Sequence, residues 1–197
     1  MENLKENRKI NFCDFNDAEI TNYDLIPKGT IAKVNLKIKP GGYNDESLGL
    51  TNGYVTRSDA TDSIYLNCEY TILAGEYIGR KIWSLIGLYS PRNDNYWGDI
   101  GRGFIRTILN SSSGFADNDN SPEAIKARQI DNLADLDGIE FIARIDIAAD
   151  DKYGQKNIIR TAITPEHKSY NLVMEQAAPN DLTINDLAIN EDRASDE

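Results

Sequence analysis

Five stretches of the chain alternate apolar and polar residues at the period of a strand. Between the third and fourth of them, two stretches recur at the period of a helix. Ile31 to Lys39 sets Val34, Leu36 and Ile38 on one face and Lys33, Asn35, Lys37 and Lys39 on the other. Pro40-Gly41-Gly42 ends that strand, and residues 41–62 read as a long loop or ribbon. Ser63 to Leu73 sets Ile64, Leu66, Cys68, Tyr70 and Ile72 against Ser63, Tyr65, Asn67, Glu69 and Thr71. Arg80 to Tyr89 turns Ile82, Ile86 and Leu88 inward, and Lys81, Trp83, Leu85 and Tyr89 outward. Asp99 is placed to cap a helix from Ile100 to about Leu109, with Ile100, Phe104 and Ile108 as its buried stripe. Arg102 and Arg106 fall off that stripe. Ser121-Pro122-Glu123 opens a second helix running to roughly Leu133. Ile139, Phe141, Ala143, Ile145 and Ile147 form one face of a fourth strand, and Asn157 to Ile163 forms the fifth, stopped by Pro165.

This order predicts a mainly β fold: a five-stranded barrel with one or two helices between strands three and four, which is the OB-fold plan. The expected domain is 23–170. Residues 1–22 read as a polar N-terminal arm, and residues 171–197 as an acidic, disordered tail in which Leu182, Ile184, Leu187 and Ile189 recur.

Charge changes the picture less than its total suggests. The net charge is −11, yet residues 171–197 hold seven acids and one base, whereas residues 28–170 hold nineteen acids and seventeen bases. A nearly balanced body can present one basic face. No run of 18 apolar residues is present, so no membrane span is expected. The first twenty residues lack an apolar signal segment, and Cys13 and Cys68 are the only cysteines. Together these make a reducing cytoplasm the simpler reading and a disulfide unexpected.

Catalytic chemistry finds little footing. The single histidine, His167, lies in a Pro-Glu-His-Lys turn, and no cysteine or histidine spacing suits a zinc site. No metal, cofactor or enzymatic activity is expected. Gly98-Asp99-Ile100-Gly101-Arg102-Gly103 lacks the Gly-Lys-Ser/Thr ending of a phosphate loop, so its glycines fit close packing against the barrel better.

The outward sheet face carries the functional expectation. Lys33, Lys37, Lys39, Arg80 and Lys81 can follow a phosphate backbone, and Tyr65, Trp83 and Tyr89 can stack on bases. Trp97, in a loop with Tyr96, adds a further aromatic, and Arg102 and Arg106 could meet phosphates from the helix.

Asp24-Leu25-Ile26-Pro27-Lys28-Gly29-Thr30, Gly79-Arg80-Lys81-Ile82-Trp83, Gly138-Ile139-Glu140-Phe141-Ile142-Ala143-Arg144 and Asn157-Ile158-Ile159 before Thr164-Pro165 span most of residues 24–165. In these stretches the chain resembles phage and prophage single-stranded DNA-binding proteins. The resemblance implies an OB-type fold, no catalysis, and work beside replication or recombination proteins in the cytoplasm of a bacterial host. The tail is similar in design to the acidic tails by which bacterial single-strand binders recruit partners, although it reads Ala194-Ser195-Asp196-Glu197 where those close on a hydrophobic residue.

The leading expectation is therefore a non-catalytic single-stranded DNA binder whose tail competes with DNA or engages a partner. Two rivals stay open. One is an acidic DNA mimic that inhibits a host DNA-acting enzyme, favoured by the total charge. The other is an accessory protein that uses the barrel for protein contacts. DNA or RNA preference and homo-oligomer formation stay open as well.

Overall fold

The computed structural model describes Cys13, Asn16 and residues 24–150 and 154–176. The expected arm, the turn at 151–153 and the tail beyond Gln176 lie outside the described residues.

The chain is mainly β. Its strands are β1 (Ile31–Lys39), β2 (Tyr43–Asp45), β3 (Leu50–Arg57), β4 (Ile64–Ile72), β5 (Lys81–Tyr89), β6 (Glu140–Asp150) and β7 (Gly154–Ile163). They form one curled antiparallel sheet in the order β2-β3-β4-β1-β6-β7, with β5 also paired to β4. Register shifts at Ile64/Tyr65 and Arg144/Ile145 add an unpaired residue and bend the sheet there. The alternation dictates the sides. Val34, Leu36, Ile38, Leu66, Cys68, Tyr70, Ile72, Ile82 and Ile86 are all buried in one core.

Helix α1 (Tyr96–Ser113) lies against β5, β6 and β7, spanning the side where β5 and β7 approach without pairing. Phe104 on α1 meets Phe141 on β6 edge-on at 6.4 Å, and Phe141 meets Tyr70 on β4 at 6.2 Å, so one aromatic chain ties helix to sheet. The Ser111 hydroxyl accepts the buried Ile142 amide at 3.0 Å. Helix α2 (Pro122–Ala127) follows, its Ser121 cap accepting the Ala124 amide at 3.3 Å. Helix α3 (Tyr170–Gln176) sets Tyr170 and Val173 over Ile31, Ile142 and Ile163, which covers the second face of β6.

Several expectations shift. Of the two readings of 41–62, loop or ribbon, the ribbon holds, because β2 and β3 form a hairpin. At Thr56↔Tyr65 and Arg57↔Ile64, β3 takes up β4 where β1 has ended. Helix α1 starts at Tyr96, after Asn93, Asp94 and Asn95 turn through φ of 52°, 48° and 65°, a left-handed region that Asn and Asp tolerate best. Ile100 is 52% exposed rather than part of the buried stripe, since Gly98, Gly101 and Ile108 face the sheet instead. Helix α2 ends at Ala127, and a 3-10 turn at Leu133–Leu136 carries the chain toward β6. The segment expected to leave the domain at 171 first forms α3. Among the described residues, no helix is long and apolar enough to cross a membrane.

Candidate nucleic-acid interface

Register assembles the outward face into rows. Lys37, Glu69 and Trp83 lie opposite one another across β1, β4 and β5. Asn35, Thr71 and Lys81 form the next row on one side, and Lys39, Asn67 and Leu85 the next on the other. Neighbours in such rows sit about 5 Å apart, within touching distance of long side chains. Lys37, Lys39 and Lys81 are exposed, and Trp83 stands 59% exposed at the centre.

Glu69 organises that centre. Its Oε1 holds the Lys81 ammonium at 2.7 Å, and its Oε2 accepts the Trp83 indole N–H at 3.0 Å. The hydrogen bond from Lys81 is the main reason its carboxyl lies below the ordinary value. Partial burial opposes the shift, while the Trp83 hydrogen bond and the charges of Lys81 and Lys37 add to it. The carboxylate thus fixes one edge of the indole while most of the residue stays in solvent.

The other proposed contacts distribute unequally. Lys33 is drawn aside by Glu140 at 2.8 Å, with its side chain only 18% exposed. Arg80 donates to the Asp24 carbonyl at 3.0 Å and so tethers the segment that leads into β1. Trp97 lies over Gly87, where an added Cβ would fall 2.5 Å from its ring. Tyr65 adjoins it, with ring centroids 6.1 Å apart. Trp97 is therefore half plug and half platform, at the end of the face remote from Lys81.

Arg102 and Arg106 are exposed but do not join the lysine rows. They line a groove beside α1, and Tyr89 borders its near end. Arg106 also donates to the Asp117 carbonyl at 3.1 Å. The glycine-rich stretch serves packing: a Cβ on Gly101 would fall 1.8 Å from the Gly87 carbonyl oxygen, and one on Gly98 would fall 2.6 Å from that of Leu88. Nδ1 of His167 accepts the Ser169 amide within a turn. Among the described residues, no three His, Cys, Asp or Glu side chains converge as metal ligands.

Sequence reasoning set Glu69 on the outward face but gave it no role there, and it passed over Glu140. It turned Leu85 outward but set Ile100 in a buried stripe; the two stand 50% and 52% exposed on either side of the cleft between β5 and α1. Strand parity does place Glu69 beside Tyr65 and Thr71, so that signal was present. Glu140 became a neighbour only through the β1–β6 register. Neither a scan against protein-family models nor a search of curated proteins returns a match for this chain.

Proposed function

We propose that this chain is a non-catalytic single-stranded DNA-binding protein built on an OB-type barrel, acting in phage or prophage replication or recombination. The observation that carries the proposal is the row Lys37–Glu69–Trp83, an anchored and exposed indole flanked by Lys37, Lys39 and Lys81. Bases stack on Trp83 whatever their identity, and the lysines neutralise the phosphates between them. Leu85 extends the platform toward the Tyr65–Trp97 pair, which offers a second stacking point. The strand order supports the barrel: β1 pairs with both β4 and β6, β5 pairs with β4, β7 pairs with β6, and α1 intervenes between β5 and β6. The phage and partner-recruiting parts of the proposal rest on the sequence resemblance and on the acidic residues after Gln176.

A single strand fits this face better than duplex. An exposed ring on a sheet meets unstacked bases directly, whereas paired bases present only their edges. The deciding experiment is anisotropy of a labelled oligonucleotide with the wild-type chain and with Trp83→Ala. Weaker binding by the variant supports stacking. Equal affinity for both removes Trp83 from the site and, with it, the proposed mode.

A further inference from the structure

Two clefts of about 790 and 640 Å³ share Leu88, Arg102, Ile130 and Leu133 and so make one groove between the end of β5, the outer side of α1 and the 130–133 segment. Aliphatic side chains run along its wall from Leu50 and Ile64 at one end to Ile105 and Leu109 at the other, with Asp131, Asn132, Asn120 and Arg128 among its polar residues. Arg102 and Arg106 stand one helical turn apart on its α1 side. Among the described residues, no carboxylate forms an ion pair with either guanidinium. The aromatic border is Tyr89 alone, so bases find little to stack on here. Branched aliphatic side chains suit the wall, and carboxylates suit the guanidiniums.

The chain carries a segment with that chemistry. Residues 181–190 are two tandem copies of Asp-Leu-x-Ile-Asn: Asp181-Leu182-Thr183-Ile184-Asn185 and Asp186-Leu187-Ala188-Ile189-Asn190. Helix α3, from which the segment leaves, is tied to the helix that walls the groove. The Tyr170 hydroxyl of α3 donates to the Ser111 carbonyl of α1. Asp117 joins the two regions, its amide donating to Glu166 and its carbonyl accepting from Arg106. Ser111 lies five residues past Arg106, about 7.5 Å of helical rise. Ten residues run from Gln176 to Asp186, up to about 33 Å of extended chain.

We propose that the Asp-Leu-x-Ile-Asn repeat at 181–190 docks in this groove of the same chain. Leu182, Ile184, Leu187 and Ile189 cover the aliphatic wall, and Asp181 and Asp186 pair with Arg102 and Arg106. The proposal stands apart from the DNA reading, because groove and lysine rows are different surfaces. It also moves the tail away from the competition expected for it on the lysine face.

The test is amide NMR of the ¹⁵N-labelled full chain beside a synthetic peptide of residues 179–192. In the wild-type chain the 181–190 signals should differ from those of the free peptide. Arg102→Glu with Arg106→Glu should shift them toward the peptide positions, and adding Asp181→Lys with Asp186→Lys should restore the difference. Changing Leu182, Ile184, Leu187 and Ile189 to Ser leaves the body intact and should move the signals of Leu88, Ile130 and Leu133. Wild-type signals that coincide with the free peptide would overturn the proposal. So would signals that respond to Lys37→Glu with Lys81→Glu rather than to the arginine changes, which would place the tail on the lysine face. A shift that grows with protein concentration would assign the contact to a neighbouring chain and overturn the intramolecular form.

Discussion

Trp83 and Glu69 face each other across β5 and β4 and are joined by a 3.0 Å hydrogen bond from the indole nitrogen to Oε2. The bond settles two competing tendencies of a surface tryptophan. A free indole would lie flat to cover apolar surface. Held at its polar edge, it stands 59% exposed and keeps a face for a ligand.

Trp83→Ala should therefore weaken oligonucleotide binding by about 1–3 kcal/mol, the usual worth of one stacked base. Trp83→Phe should retain part of that, since it keeps an aromatic face but loses the anchor. Anisotropy titrations of the three proteins check the order wild type, then Phe, then Ala. Circular dichroism should show the fold unchanged, because the indole is not in the core.

Glu69→Gln removes the one anion at the centre of the rows and leaves an oxygen for the indole N–H. Lys81 loses its competing partner, so affinity for a single strand should rise severalfold at low salt, with a steeper salt dependence. The pH sign follows from the depressed carboxyl. Its contribution to stability is complete above the unfolded-state value and is lost as pH falls through the lower folded value. Carbon-detected titration of the Glu69 carboxyl should find it below the ordinary glutamate range, and Lys81→Ala should return it upward.

Gly101 and Gly103 make a paired test of the α1 contact. A Cβ on Gly101 meets the Gly87 carbonyl oxygen at 1.8 Å, while one on Gly103 meets nothing within 4 Å. Gly101→Ala must push α1 off β5 and should cost about 1–3 kcal/mol or more. Gly103→Ala should stabilise by up to about 1 kcal/mol through helix propensity. Thermal unfolding of the two variants should shift in opposite directions.

The same glycines mark where the sequence was legible and where it was not. Ile31–Lys39 was readable to the residue because nine alternating positions leave no second register. The α1 boundary was missed because its buried face begins with Gly98 and Gly101, which carry no hydrophobic signal. The β2–β3 hairpin was left undecided between loop and ribbon by its own turn chemistry. Gly49, Asn52 and Gly53, all at positive φ, look like loop residues in one dimension. At the site, parity placed Lys37, Lys81 and Trp83 together outright. It could not show that Lys33 is taken up by Glu140, a contact between residues more than a hundred positions apart.

Cys68 tests the core directly. It is fully buried on β4, and burial pushes its thiol up to about 12. At pH 8 in the native chain it should resist alkylation while the exposed Cys13 reacts. Mass spectrometry should find one modified cysteine before unfolding and two after. Rapid labelling of Cys68 in the native state would mean that the β1–β4–β5 core opens readily.

The most direct measurement of the central claim is binding of a labelled 30-nucleotide single strand at two salt concentrations, read by anisotropy and by quenching of tryptophan fluorescence, with duplex as the control. The account predicts saturable binding that quenches tryptophan, favours the single strand and weakens steeply with salt. Absence of binding at low salt, or a preference for duplex without quenching, would contradict it.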